Sequence, residues 1–359
     1  MNLEASAAPA EITYSPSWTL IPTHYCRNTC GYCVFVKRTG AAAELLTINR
    51  ARAIIDEAHR RGASELLIMS GEGVETSRDA RKALRQMNFN SYIDYLIEIA
   101  RLALERDLLP HINIGNLTDK EFRALRAVVP SMGMMLETID RTLRKTVAHG
   151  RAPDKEPARR IETLRAAGRA RVPFTTGLLV GIGESARTRK ATLRTIADVQ
   201  RAYGHIQEVI IQPFTPHAGT IMSACAPPTL ADLCATVEMA RAILPPEVAV
   251  QIPPNIAPQI IALIQAGARD LGGISPDGDR INPTKRWHGP QTYAAELAAH
   301  GYTLRARLAM HDHLIDRAWL SQETLSAVAR GRERLPKFSG KVVAACKSGI
   351  EERATYDGN

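Results

Sequence analysis

Three cysteines within eight residues, Cys26-Arg-Asn-Thr-Cys30-Gly-Tyr-Cys33, are the side chains of this chain best spaced to do chemistry. They follow an apolar run from Trp18 to Pro22. Three thiolates at this spacing can hold three irons of a [4Fe-4S] cube and leave the fourth iron open to another ligand. A structural zinc site wants four ligands, and no second Cys or Cys/His pair lies near in sequence to supply the fourth. Bacterial ferredoxin loops use a tighter spacing and a fourth cysteine, which closes the cluster. The other cysteines, Cys225, Cys234 and Cys346, are scattered, and six in 359 residues suit a reduced protein better than a disulfide framework. Buried, reduced cysteines in an ordinary turn are the alternative that stays open.

The C-x3-C-x2-C pattern with Tyr32 just before its last cysteine resembles the cluster loop of the radical S-adenosylmethionine (radical SAM) superfamily. The resemblance implies a [4Fe-4S] cluster on Cys26, Cys30 and Cys33. It also implies S-adenosylmethionine (SAM) bound at the open iron and a 5′-deoxyadenosyl radical that takes a hydrogen atom from a small-molecule substrate. The protein's part in such chemistry is binding, orientation and exclusion of water.

Elements must carry that loop to a cavity. At 45% hydrophobic content, 359 residues can bury one large core. Apolar β-rich runs alternate with amphipathic stretches eight times, which predicts an α/β chain folded as a (βα)8 TIM-type barrel of parallel strands. Strands are predicted at 20–25, 65–69, 111–114, 133–137, 174–180, 208–212, 249–252 and 270–274. Helices are predicted at 49–61, 91–106, 119–128, 158–170, 186–203, 230–244, 257–266 and 291–300. The expected organisation is an N-terminal extension at 1–17, the barrel at 18–307 and a C-terminal extension packing on it at 308–359. Chemistry belongs at the C-terminal strand ends of such a barrel.

No segment approaches the roughly 20 continuous apolar residues of a membrane span, and the N-terminus has no apolar signal core. A cytoplasmic protein without a membrane role is expected. The net charge of +9 is spread along helices between apolar positions, which reads as solvated helix faces and speaks against a nucleic-acid partner. A basic rim also suits an acidic electron-donor protein. For the superfamily this means a low-potential flavodoxin or ferredoxin.

Several strand ends resemble SAM-binding elements of the superfamily. Met69-Ser70-Gly71-Glu72 stands where a Gly-Gly-Glu element holds the SAM amino group, and an acceptor carboxylate beside a glycine suits an ammonium. Ser-Gly-Glu is also an ordinary turn before a helix. Glu137 ends the fourth strand and Arg160 opens the following helix, matching a Glu and an Arg that contact SAM in biotin-synthase-like relatives. Arg159 competes for that role. Gly181 and Gly183 resemble the family's Gly-x-Ile-x-Gly-x-x-Glu segment along adenine, and the same glycines serve a plain strand-to-helix turn. A Rossmann loop is excluded because the first glycine lies inside the strand pattern.

Five further blocks resemble the ring-closing subunit family of deazaflavin (FO) synthase: Leu109 to Asn113, Pro173 to Glu184, Gln251 to Asn255, Gly272 to Pro276, and Asp279 with Asn282-Pro283 and Trp287. The resemblance runs from about Ile21 to Arg307. It implies a substrate made by a companion radical SAM subunit, the adduct of a tyrosine-derived 4-hydroxybenzyl group with a ribitylamino-uracil. It implies the product 7,8-didemethyl-8-hydroxy-5-deazariboflavin (FO), formed with loss of ammonia. An imide and a polyol ask for hydrogen-bonding side chains, and His111, Asn113, Thr175, Thr176, Gln212, Gln251, Asn255 and Ser275 are expected to supply them. His111 reads equally as a structural histidine, and Thr175-Thr176 as β-branched strand filling.

The chain departs from that family where Gly73-Val74 follows Glu72, where Val34 follows the cysteines, and at Leu308-Ala-Met-His311-Asp312-His313. The two histidines there read as a polar lid or surface rather than a metal site. A related enzyme acting on another heterocycle or amino acid is the second reading. Sulfur insertion is disfavoured because no cysteine lies between Cys33 and Cys225. A non-catalytic iron-sulfur or RNA-binding protein is the third.

Overall fold

Among the described residues nine strands, all parallel, form one sheet that closes on itself. In the computed structural model, which describes residues 10–36, 44–282 and 284–337, they are β1 (Ala10–Leu20), β2 (Glu65–Met69), β3 (Leu109–Asn113), β4 (Ser131–Gly133), β5 (Phe174–Val180), β6 (Ile206–Pro213), β7 (Ala249–Gln251), β8 (Asp270–Ile274) and β9 (Tyr302–Ala306). Strands β2 to β8 lie in sequence order, β8 pairs with β1, and β1 pairs with β2 to complete an eight-stranded ring. Ten helices surround it: α1 (Ile48–Arg60), α2 (Arg78–Gln86), α3 (Tyr92–Leu104), α4 (Asp119–Arg126), α5 (Pro157–Arg169), α6 (Ala186–Tyr203), α7 (Leu230–Ile243), α8 (Ile260–Gln265), α9 (Pro290–Ala298) and α10 (Gln322–Glu333). The architecture is the expected (βα)8 barrel, and no helix of the described residues is long and apolar enough to cross a membrane.

Local chemistry accounts for the helix starts. Thr47, Ser91, Thr118, Ser185, Thr229 and Ser321 each accept a backbone N–H of the first turn, and Thr118 with Glu121 completes a capping box. Pro157 and Pro290 occupy the first turns of α5 and α9, where a missing N–H costs nothing. Every residue of β5 is buried, as expected for a parallel strand covered on both faces. The main apolar core lies between ring and helices. A smaller one, with Leu143, Ala148, Leu179, Ile182, Phe214 and Met222, supports Tyr32 of the cysteine loop.

The first strand differs from its expected place. It runs Ala10–Leu20, within the stretch expected as an extension, and stops before the cysteines, so 21–25 cross the barrel mouth without strand pairing. Polar Thr13, Ser15 and Ser17 break the apolar signal, although all three lie on a strand bonded to both neighbours. Strand β9 was not foreseen. It pairs with the first half of β1, Ala10 to Tyr14 against Tyr302 to Ala306, outside the closed ring. Helices α2 and α10 were also not foreseen, and β4 covers only Ser131–Gly133 rather than 133–137. Cys346, Pro283 and residues 338–359 of the expected C-terminal extension lie outside the described residues.

After β9 the chain turns under the barrel at the N-terminal strand ends. Leu308, Ala309 and Met310 are buried there. The Ala309 carbonyl accepts from Ser131 Oγ at 3.1 Å and Gln207 Nε2 at 3.2 Å, and His311 N–H donates to Gln207 Oε1 at 3.0 Å. Of the two histidines expected at a lid or surface, His313 is exposed beside exposed Asp312 and His311 is half-buried, whereas Leu308 to Met310 before them plug the barrel floor. Leu308, Ala309 and Met310 are apolar, so burying them under the ring removes apolar surface from water.

Candidate active site

The cysteine loop is pinned to the barrel mouth from both sides. Arg27 N–H donates to the Glu72 carbonyl at 3.0 Å, and Glu72 N–H donates to Cys26 Sγ at 3.2 Å, which ties the loop to the turn after β2. Gly31 N–H donates to the Ala148 carbonyl at 3.1 Å, and its own carbonyl accepts from Met222 N–H at 2.9 Å. Two glycines make this approach possible. A Cβ on Gly71 would stand 2.3 Å from Cys26 Cβ, and one on Gly31 would stand 2.3 Å from the Val147 carbonyl oxygen.

Cys30 is buried, while Cys26 and Cys33 are partly open to the cavity. Burial raises the Cys26 thiol and pushes Cys30 up to about 12. Such thiols become thiolates when a cation compensates them. No disulfide joins the described cysteines, and no three Cys, His, Asp or Glu among the described residues converge as a single-ion site. Three separate thiols facing one cavity fit a cube whose irons each take one sulfur, and a mononuclear zinc with ligands at about 2.3 Å does not fit.

Beside the loop lies a buried charged clamp. Glu72, at the expected Ser70-Gly71-Glu72 turn, accepts from Arg160 Nη1 at 2.8 Å and from Asn116 Nδ2 at 3.2 Å. Lys155 Nζ donates to Glu137 Oε1 at 2.7 Å and lies 3.6 Å from Glu72 Oε1. Glu137 Oε2 accepts from Tyr32 OH at 2.7 Å, and His149 Nε2 lies 3.1 Å from the same oxygen. Burial alone would raise both carboxyls. Arg160 and Lys155 outweigh it at Glu72, and Lys155 with His149 and Arg160 outweighs it at Glu137, holding both below the usual carboxylate range.

Glu137 sits at φ 64°, a left-handed conformation that costs a non-glycine residue about 1–3 kcal/mol and marks sites where a side chain is aimed rather than relaxed. Arg160 reaches Glu72 while its Nε donates to the Met135 carbonyl at 2.9 Å. Arg159 points elsewhere, to Asp154 at 2.9 Å, so of the two arginines it is Arg160 that bonds Glu72. Gly115, at φ +92°, lets Glu72 in: a Cβ there would stand 2.1 Å from Glu72 Cγ.

From the cysteines a cavity of about 350 Å³ runs down the barrel axis. Every second strand residue faces it, so its wall is layered. Near the mouth stand Met69, Asn113, Gln212 and Ser275, while Gln251 pairs with Ile210 lower down. Below them Leu67, Ile210 and Leu271 form an apolar waist. At the floor are Glu65, His111, Thr175, Glu208 and Arg307.

The residues expected to meet substrate therefore divide. Asn113, Gln212, Asn255 and Ser275 line the upper cavity and Gln251 its middle, although Asn255 Nδ2 already donates to Asp279 at 2.6 Å. His111 and Thr175 lie at the floor, near the strand starts rather than the strand ends. Thr176 is excluded from the cavity by strand alternation: Thr175 faces inward, so Thr176 faces outward, where its hydroxyl accepts Leu136 N–H at 3.2 Å. Gly181 and Gly183 do not line the cavity either. Both have positive φ in a turn whose Gly181 and Ile182 N–H groups donate to Glu184. Lys155, His149, Asn116, Glu65, Glu208 and Arg307 were not foreseen. A Lys four residues before Arg159-Arg160 was visible in sequence, but only the folded turn shows that it bridges two acids.

Comparison with known proteins points the same way. The model of the radical SAM superfamily matches residues 20–196. The 7,8-didemethyl-8-hydroxy-5-deazariboflavin synthase of Methanococcoides burtonii is 41% identical over 315 residues, covering 87% of this chain and 93% of that one. The protein of the same name from Synechococcus elongatus is 44% identical over 312 residues, covering 86% and 89%. Among solved structures, the [FeFe]-hydrogenase maturase HydG superposes with a TM-score of 0.68 at 16% identity, over 89% of this chain and 70% of that one. Methylornithine synthase (PylB) superposes with a TM-score of 0.60 at 15% identity, over 82% and 83%. At that identity the structures speak to the fold alone.

Proposed function

The chain belongs to the 7,8-didemethyl-8-hydroxy-5-deazariboflavin synthases of the radical SAM superfamily, enzymes of deazaflavin (FO) synthesis that work with a [4Fe-4S] cluster and SAM, and from this we propose that it closes the deazaflavin ring on the 4-hydroxybenzyl/ribitylamino-uracil adduct with loss of ammonia. In this reading Cys26, Cys30 and Cys33 hold the cluster. The bound cluster and SAM supply a 5′-deoxyadenosyl radical for hydrogen-atom removal.

The rest is the work of this chain's side chains. The observation that carries the reading is the Glu72 turn: its N–H is bonded to Cys26 Sγ while its carboxyl sits in a clamp of two acids and two cations. Those four side chains offer acceptors to an ammonium and donors to a carboxylate, the two ends of an amino acid. Tyr32 fixes Glu137 in place. Below the clamp, Asn113, Gln212 and Gln251 provide amides that match an imide edge, and the waist of Leu67, Ile210 and Leu271 keeps water from the reacting region. A companion radical SAM subunit supplies the adduct, a flavodoxin or ferredoxin supplies electrons, and the reduced thiols suit the cytoplasm.

Anaerobic reconstitution with iron and sulfide, followed by SAM, reductant and the adduct, tests this reading. Fluorescent deazaflavin is the expected product. Formation of 5′-deoxyadenosine without it would assign the chain to another substrate.

A further inference from the structure

At the far end of the cavity from the cysteines, three acidic side chains meet one guanidinium. Arg307 is committed on every side. Its Nε and Nη2 donate to Asp270 at 2.6 and 2.8 Å, Nη2 also donates to Glu208 at 3.1 Å, and Nη1 donates to the Leu308 carbonyl at 3.0 Å. Four of its five N–H groups are thus taken by the protein. The acids keep spare capacity. Glu65 is 7% exposed, and Ser17 Oγ donates to its Oε1 at 3.1 Å, while among the described residues nothing donates to its Oε2. Glu208 is 4% exposed, and its bonds from Arg307 and Thr175 both fall on Oε2, which leaves Oε1 without a donor. His111, against Ser131 Oγ at 2.8 Å through Nδ1, has no hydrogen bond at Nε2. All three side chains line the cavity, so these free atoms are open to a ligand that brings its own donors.

Resting on the ring-closure reading, we propose that this floor binds the polyhydroxyl side chain of the substrate, with Glu65 and Glu208 accepting its hydroxyl protons. The chemistry discriminates among the parts of such a molecule. A uracil edge presents mostly carbonyl oxygens, which two acids repel, and a phenol offers a single donor. A polyol carries successive hydroxyls, each able to donate to a carboxyl oxygen and accept from a neighbour such as Ser17. The waist of Leu67, Ile210 and Leu271 separates floor from mouth, so a ligand touching both must be elongated. Seating the chain at the floor leaves the ring system at the level of the mouth amides, facing the cysteine loop.

The test is binding, read by fluorescence, of FO itself and of its analogue carrying a pentyl group in place of ribityl, to the reconstituted protein with SAM. The wild type is expected to favour the ribityl compound by about 10- to 100-fold, the range of one or two hydrogen bonds to charged groups. Glu65→Leu should bring that ratio toward one while changing pentyl affinity by less than about 3-fold, and Glu65→Gln should fall between. If Glu65→Leu does not fold, as circular dichroism would show, Ser17→Ala removes only the hydroxyl that orients Glu65 and should lower the ratio several-fold. A ratio that none of these changes alters overturns the proposal. So does affinity for the open adduct that follows its free amine rather than its hydroxyls. Failure of the ring-closure reading is separately visible as 5′-deoxyadenosine without fluorescent product.

Discussion

Gly71 is where the chemistry of single residues is most exposed to test, because its missing side chain lets two loops touch. Gly71→Ala would drive a methyl group into Cys26 Cβ and the Tyr25 carbonyl, both 2.3 Å away. Iron bound after reconstitution is expected to fall several-fold with circular dichroism unchanged, whereas Cys225→Ala, at an exposed cysteine, should bind iron like the wild type. Equal iron in the two variants would mean the loops do not need this contact. Lys155 carries a second expectation. Lys155→Met leaves Glu137 and Glu72 short of a buried cation, a change that costs on the order of 3–5 kcal/mol at neutral pH. Glu137 is held below its unfolded value, so its stabilising share is present above the ordinary carboxylate range and is lost as pH falls through its folded value. The gap between wild type and Lys155→Met in urea unfolding should therefore be widest near pH 7 and narrow below about pH 4. A constant gap would mean that Lys155 acts through packing alone.

Elements were legible where one physical signal dominated. β2, β5, β8 and α6 stand where the sequence pattern puts them, because uninterrupted apolar runs or a capping serine followed by a 3.6-residue period leave little choice. β1 was misplaced because polar residues interrupt its apolar run, Ser17 and Thr19 among them facing the barrel cavity, a polar interior that no alternation rule anticipates. Of the candidate site, the cysteines, the Glu72 turn, Glu137 and Arg160 could be read from spacing and resemblance. Lys155, His149 and the floor acids could not, since they come together only across the barrel, over 10 to 90 residues or more of chain. The seam between α5 and β6 has a pH signature of its own. His205 donates to the Leu164 carbonyl, is fully buried, and is pulled by that burial down to about 3. Its folded value lies below the unfolded one, so stability is full above about pH 6.5 and declines toward pH 3, by up to about 1.4 kcal/mol per pH unit. His205→Gln should flatten that part of the stability curve. An unchanged slope would place the acid sensitivity elsewhere.

At the scale of the molecule, the two ends of the barrel do different work, and a change at one should leave the other readable. Arg307→Met strips Asp270 and Glu208 of their shared partner under the floor, and a loss of about 3–5 kcal/mol in unfolding free energy is expected. Iron bound per folded chain should stay at the wild-type level, since the cysteines are pinned at the opposite mouth. Loss of iron from the folded variant would show that the plug and the cluster loop are coupled. The pairing of β1 also sets a timetable. Its first half bonds to β9 and its second half to β2, with β8 between them, so the strand synthesised first finds two of its three partners only after residue 270. At about 5–20 residues per second, a ribosome takes roughly 15 to 60 s to reach them. Through that interval the nascent chain carries an open hydrogen-bonding edge, and a message ending before residue 302 would release a protein that never covers it.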